Sequence, residues 1–391
     1  MIGNLYKKIR NYIRFKLTSK RINLLIYDDI FPHPISGFRL EEFTVLLKKI
    51  KKSKILVDPH SYPVLKSSVE EHKIHVNSFL KNNNRLKKSF INKNELKLHE
   101  INLFYCVFLH NIYANIDWLE HNKIPFVFTL YPGGGLELHN YDVDIQLKRV
   151  LSSSLLKKVI VTQKIVKDYL INNSFCEIEK IELIFGVVVP QNSIFTEFKK
   201  DKKETFDIIF CASKYMPLGL DKGYEDFILI AHKLHSYSSK FKFHVVGGFD
   251  ENEIDISGIK DSIKFYGYQN FENLSQIFKN MDVIISPNKP FLLSKGAFDG
   301  FPLATTIEAV FCGVVAIVND CLNEGNLFNN QIEIIITNGM IDTYVNEIKF
   351  LFENPSNLKQ ISKNGKKKFS KIFNNKSQIS PRIKLLKTLT D

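Results

Sequence analysis

The sequence predicts two doubly wound α/β domains facing a cleft, and three observations carry that expectation. Short apolar runs alternate with helical patterns along the chain, the arrangement of βαβ units and parallel sheets. A polar, lysine-rich passage at 192–205 splits the alternation into two similar halves. The length, 391 residues with 44% hydrophobic content, is enough for two domains, each with its own core.

Residues 1–20 form the first unit. Lys7, Lys8, Arg10, Arg14, Lys16 and Lys20 occur with no acid among them, and Ile2, Leu5, Ile9 and Ile13 recur at three- and four-residue spacing. Such a helix either lies in the interface of an anionic membrane or packs on the protein's own surface. The first domain, 21–195, has candidate strands at 22–27, 55–57, 103–109, 126–130, 159–162 and 181–184, with helices such as 40–51 and 164–171 between them. The second domain, 206–375, has candidate strands at 206–212, 243–248, 263–267, 282–286 and 315–318. Helical patterns at 341–353 and 358–373, interrupted at Pro355, lead to a helix-compatible tail at 376–391. Ligands of such sheets bind outside the carboxyl ends of the strands. No short internal repeat is present, which argues against solenoids and propellers.

Composition narrows the function class. No window of eighteen uninterrupted apolar residues occurs, so no transmembrane span is expected, and the N-terminus lacks an apolar core followed by a small-residue cleavage site. Cys106, Cys176, Cys211, Cys312 and Cys321 are scattered without a Cys-x-x-Cys pair, as for reduced thiols in a cytosol, and give a zinc site little support. The net charge of +13 suits nucleic acid, an anionic membrane or anionic sugar substrates. No zinc-finger, RNP-type or GxxG-type motif is found, so nucleic acid is not expected as a partner. Many lysines lie in Lys/Asn-rich stretches such as 81–97, which read as solvated helix and loop. The expected location is the cytoplasm, peripheral at the inner face of the plasma membrane.

The most informative segment is 296–320. A loop with Asp299, Gly300, Phe301 and Pro302 runs into a helix bearing Thr305, Thr306 and Glu308; Cys312 and Gly313 end it, and an apolar strand follows. A glycine loop feeding a helix N-terminus offers unpaired N–H groups and a positive dipole end to a phosphate. A carboxylate one turn inside the helix is suited to accepting hydrogen bonds from sugar hydroxyls. Diphosphate and hydroxyls together describe a nucleotide sugar; the plain alternative is an ordinary loop and helix with an exposed glutamate. The segment resembles the donor-site signature of retaining glycosyltransferases of family 4, which have the GT-B fold of two Rossmann-like domains. Their pattern is Glu-Gly-Phe, a few residues, then Glu-Ala and a small-residue glycine turn. Here Asp299 replaces the first acid and lies nine positions before Glu308, where the family usually has eight. The resemblance implies that Glu308 holds ribose hydroxyls and that Asp299 touches the donor sugar.

The resemblance extends to other segments, and it implies that the tail, 376–391, returns to the first domain. Lys214, then Lys222 and Gly223, follow strand 206–212 and are similar to the basic loop that holds the donor diphosphate. Gly248 and Tyr268 stand at turns after two strands, Tyr268 as a base contact or a core aromatic, and Ser286 and Asn288 close the next strand. On the acceptor side, Gly37 and Arg39 resemble the first-domain glycine loop, with Arg39 serving either a phosphate or a nearby acid. Tyr131 stands where the family often has histidine. Gly133, Gly134 and Gly135 follow directly, and three successive glycines after a strand imply a close ligand or a facing domain. With residues 158–164, this segment resembles the rhamnan-type branch that builds bacterial surface polysaccharides.

Asp142 and Asp144 fit the DxD pattern of metal-dependent enzymes but precede a helix, where aspartates cap. His33, His60, His110 and His139 show no ligand spacing, so neither a catalytic metal nor a cofactor is expected. The reading is a glycosyltransferase of the hexosyltransferase class, moving a sugar from a nucleotide-sugar donor to a glycan or lipid-linked acceptor with retention. Its rivals are a GT-B nucleotide-sugar epimerase and a non-enzymatic polyanion-binding protein.

Overall fold

Strands buried on both faces build two parallel sheets. The computed structural model describes residues 20–61, 65, 67–191 and 203–390; the amphipathic segment 1–19 and most of the lysine-rich linker lie outside the described residues. The first sheet has the order β3-β2-β1-β4-β5-β6-β7. Its strands are β1 (Lys20–Asp28), β2 (Ser53–Val57), β3 (Phe90–Ile91), β4 (His99–Val107), β5 (Phe126–Leu130), β6 (Leu156–Val161) and β7 (Ile181–Leu183). Their connections carry α1 (Gly37–Lys49), α2 (Val69–Asn82), α3 (Lys93–Leu96), α4 (Leu109–His121), α5 (Tyr141–Leu151) and α6 (Lys164–Asn172). Every residue of β5 is buried, as expected of a parallel sheet covered by helices on both sides. Neighbouring residues serve opposite faces: Leu25, Tyr27, Phe104 and Cys106 pack into one core, and Leu24, Ile26, Leu103 and Tyr105 into the other.

The second sheet has the order β10-β9-β8-β11-β12-β13. It comprises β8 (Phe206–Cys211), β9 (Phe241–Val246), β10 (Ile263–Phe265), β11 (Val283–Ser286), β12 (Val315–Asn319) and β13 (Ile335–Thr337). Helices α7 (Tyr224–Tyr237), α8 (Phe271–Phe278), α9 (Ala304–Phe311), α10 (Ile341–Glu353) and α11 (Pro355–Ile372) cover it. In each sheet the winding reverses beside the first strand, between β1 and β4 and between β8 and β11. Those switch points are where open α/β sheets bind ligands. The two doubly wound domains match the fold class read from the sequence.

Several local expectations are corrected. Lys20 already belongs to β1, so the strand begins inside the segment read as helix. Gly37 and Arg39 lie in the first turn of α1 rather than in a loop before it. The Lys/Asn-rich stretch is not wholly solvated, because Leu86 and Ile91 are buried and β3 pairs with β2. Strand β13 went unread, since its exposed flanks leave an apolar run of only a few residues.

After α11 the chain leaves the second domain, and α12 (Asn375–Thr390) packs on the first, with Leu386 in the core beside Leu24 and Leu103. Arg382 is fully buried there; it donates to the Gln378 carbonyl at 2.6 Å and to Tyr131 Oη at 3.2 Å, and lies 3.7 Å from Glu42. Tyr131 and Tyr105 both donate to Glu42. The domains also meet through backbone. Leu138 N–H donates to the Gly296 carbonyl at 2.8 Å, and a Cβ on Gly296 would lie 2.1 Å from the Leu138 carbonyl oxygen. Glu324 of the second domain accepts from the N–H groups of Lys164 and Ile165 at 2.9 and 2.8 Å, placing a carboxylate at the positive end of α6.

Candidate active site

The two switch points face one another across a cleft of about 1260 Å³ lined by both domains. From the second domain, Lys214, Lys222, Gly248, Tyr268, Asn288, Asp299, Gly300, Pro302 and Glu308 line it; from the first come Gly37, Arg39 and Tyr131. Residues predicted from segments as distant in the chain as Gly37 and Glu308 therefore share one wall or the other. Glu308 lies on α9 with its Oε1 3.8 Å from where a Cβ of Gly37 would stand, so the glycine leaves room between the domains in front of the carboxyl. Glu308 is 7% exposed and its side chain has no hydrogen-bond partner among the described residues, and burial pushes its pKa up to about 8.

Lys222 ends a 3-10 turn (Pro217–Lys222) that follows β8, and Gly223 then takes the left-handed conformation that starts α7. Its ammonium is almost fully buried, pairs with Asp299 and lies 3.9 Å from Asp221 and 4.8 Å from the Tyr215 ring centroid. Burial works against this charge, yet the neighbouring carboxylates hold the pKa above the ordinary lysine value. Lys214 pairs with Glu253 at 2.5 Å. The cleft thus holds two lysines, each already facing a carboxylate. Tyr268 lies against Gly248, and its Oη accepts from the Lys214 N–H at 3.4 Å.

Other predicted residues are placed differently. Phe301 turns its ring into the core against Phe328 and Phe369, so only its backbone is near the cleft, its carbonyl accepting from Gln163 at 3.3 Å. Ser286 is buried and donates to Asn288, which in turn donates to the Asp299 carbonyl at 3.2 Å. Arg39 pairs with Asp28 at 3.0 Å and Asp29 at 2.5 Å, which answers its ambiguity in favour of the acids. Gly133 and Gly134 have φ of 78° and 56° and do not line the cleft; a Cβ on Gly134 would lie 2.4 Å from Phe108, and the turn they make leads to the strand-like contact of Glu137 with Ala297. The glycine run therefore makes room for Phe108 and His110 of its own domain, and the chain meets the second domain beyond it, at Glu137 and Leu138. In the DxD segment, Asn140 caps α5, while Asp144 accepts from Tyr169 Oη at 2.5 Å. Sequence reasoning missed Tyr215, Glu253 and Gln163; the first lies beside Lys214 in the basic loop, the only signal of the three legible in sequence.

Residues 193–368 match the family model described as Glycosyl transferases group 1, which covers the side of the cleft bearing both lysines, Asp299 and Glu308. The chain is a glycosyltransferase. No curated protein matches it. Among solved structures, this glycosyltransferase is similar to HepE of Anabaena in complex with UDP, with a TM-score of 0.68 and 14% identity over 94% of this chain and 100% of that one. It is also similar to sucrose-phosphate synthase of Thermosynechococcus elongatus (TM-score 0.64, 13% identity, 95% and 99% covered). A glycosyltransferase of Rickettsia africae gives a TM-score of 0.63 at 15% identity, with 95% and 98% covered. At these identities the likeness is one of fold, and that fold is GT-B. Among the described residues no helix is long and apolar enough to cross a membrane.

Proposed function

We propose that the protein moves a sugar from a nucleotide-sugar donor to a glycan or lipid-linked acceptor, with retention and with no metal in the transfer step. The observation that carries this reading is Glu308: a carboxyl buried without a protein partner among the described residues, opening onto a cleft that also holds two lysines. Burying such a group is costly unless a ligand supplies the missing hydrogen bonds. Ribose hydroxyls do so, and the lysines then meet the diphosphate. HepE has been solved with UDP-glucose and pneumococcal GtfA with UDP and GlcNAc, which supports a nucleoside-diphosphate sugar as donor.

In this reading Lys222 and Lys214 stabilise the charge that grows on the departing diphosphate, and electrostatic stabilisation of this kind usually dominates such catalysis. Asp299, with its side chain 43% exposed, exchanges its contact with Lys222 for a hydroxyl of the donor sugar. Tyr268 stacks on the base. A front-face transfer needs no carboxylate nucleophile. We assign the protein to family 4, in the branch making bacterial surface polysaccharide, working at the inner face of the plasma membrane, where its +13 charge favours anionic lipid.

The test is a thermal-shift screen of nucleoside diphosphates and nucleotide sugars, followed by NMR of the product's anomeric configuration. A donor at 100 times its Kd stabilises by about 2.7 kcal/mol. If no nucleotide sugar shifts the melting, the donor assignment falls; an inverted anomer sinks retention alone.

A further inference from the structure

We propose that Asp29, His60 and His110 form a binding site for a divalent transition metal of the zinc type. The three come from separate connections at the carboxyl edge of the first sheet: Asp29 directly after β1, His60 after β2 and His110 at the start of α4, after β4. Their ligand atoms all lie within 4.8 Å of one another. None of them lines the cleft, and the assignment is independent of the donor reading.

The hydrogen bonds around the two imidazoles are those a metal site requires. His110 Nδ1 lies 2.9 Å from the Gly134 carbonyl, and His60 Nδ1 lies 3.0 Å from the Asp58 carbonyl. A carbonyl can only accept, so in each ring Nδ1 carries a hydrogen and Nε2 is the nitrogen left to meet a ligand. An Nδ1–H held by a backbone carbonyl is the usual outer support of a metal-bound histidine. The two rings stand 6.5 Å apart at an interplanar angle of 80°, and one nitrogen of each lies within 4.8 Å of the other and of an Asp29 oxygen.

The carboxylate is divided in the same sense. Asp29 Oδ1 accepts from Arg39 at 2.5 Å and Asn111 at 3.1 Å, and Ser61 also hydrogen-bonds the group. Oδ2 faces His110 Nε2 at 3.0 Å. A carboxylate oxygen and a ring-nitrogen lone pair cannot donate to one another, so a cation, proton or metal, lies between them. A proton satisfies two ligands; a metal also engages His60, which the proton leaves exposed on its loop. Two imidazoles and one carboxylate suit zinc and its neighbours, whereas magnesium and calcium prefer all-oxygen sites. Three protein ligands leave a fourth tetrahedral position for water or another oxygen ligand. The metal would tie the loop after β2 to the sheet and, through His110 and the Gly134 carbonyl, brace the turn that meets the second domain.

The test uses the full-length untagged protein, stripped with chelator and titrated with Co²⁺. A saturable ligand-field spectrum at one ion per chain, displaced by Zn²⁺, is expected. His60→Ala and His110→Gln should each weaken binding by about tenfold or more, the scale on which even outer-shell losses act. His60 is exposed on a loop, so His60→Ala should fold normally by circular dichroism and decides the matter alone if His110→Gln does not fold. No saturable spectrum, as for a shared proton only, or affinity unchanged in His60→Ala, overturns the site.

Discussion

At the scale of single residues, the cost of burying Glu308 makes a prediction that separates ligand site from packing. Burial raises its pKa to about 8, while in the unfolded chain it ionises near the ordinary glutamate value. Between those values the folded protein holds a proton that the unfolded chain has lost. The contribution of this group to stability therefore falls as pH rises through that window, and Glu308→Gln should flatten the fall in a pH series of melting curves. Hydroxyls that hydrogen-bond the carboxylate favour its ionised form, so donor binding at neutral pH should release a proton. Calorimetry in buffers of differing ionisation enthalpy reads this directly, and identical binding enthalpies across buffers would remove the hydroxyl role. Glu308→Ala should weaken donor binding by about 1.5–3 kcal/mol, roughly ten- to hundredfold. Lys222→Ala should act otherwise. Leaving-group charge grows in the transition state, so kcat should fall more than the donor KM rises, and a change confined to KM would contradict the assignment. These two residues were legible in sequence because Lys222 lies in a glycine-bearing turn after a strand and Glu308 one turn inside a helix that a glycine-bearing loop feeds. The carboxylate facing Lys214 was not, since Glu253 reaches it only through the folding of a different connection.

At the scale of elements, the glycine run after β5 shows how sequence gives the need but not the beneficiary. Three glycines implied a close approach, and the fold supplies the neighbours: Phe108 and His110 of the same domain, with the second domain's backbone reached a few residues later at Leu138. Gly133 and Gly134 both have positive φ, yet a Cβ on Gly133 meets nothing within 4 Å, whereas one on Gly134 meets Phe108 at 2.4 Å. Gly133→Ala should therefore lose only the backbone preference, on the order of 1 kcal/mol. Gly134→Ala should lose about 1–3 kcal/mol more through overpacking, and should disturb the cleft because Phe108 lines it. Thermal melts of the two variants compare them directly; equal losses would show that the steric argument is wrong. The histidines make the complementary point. No spacing between His60 and His110 suggests a common ligand, because the winding order β3-β2-β1-β4 sets their connections side by side only once the sheet has formed.

At the scale of the whole molecule, the alternation of apolar runs and helical patterns was enough for two doubly wound domains, because burial on both faces leaves near-continuous apolar strands. What alternation does not carry is the joining of the domains, which rests on polar atoms spaced far apart in the chain. Arg382 is the clearest case: one basic tail residue among several in sequence, it is fully buried against Glu42, Tyr131 and the Gln378 carbonyl. Its helix belongs by sequence to the end of the second half and by packing to the first domain, so this one guanidinium fastens the return of the chain. Removing one partner of a buried ion pair leaves the other charge uncompensated, at a cost of about 3–5 kcal/mol. Arg382→Ala should lose that much in urea unfolding monitored by circular dichroism. Replacing both partners, Arg382→Met with Glu42→Gln, should recover a large part of the loss, because no unpaired charge then remains buried. If α12 sets the registry of the two domains, the double variant should regain stability more fully than kcat. An Arg382→Ala protein as stable as the parent would show that the tail docks through its apolar side chains alone.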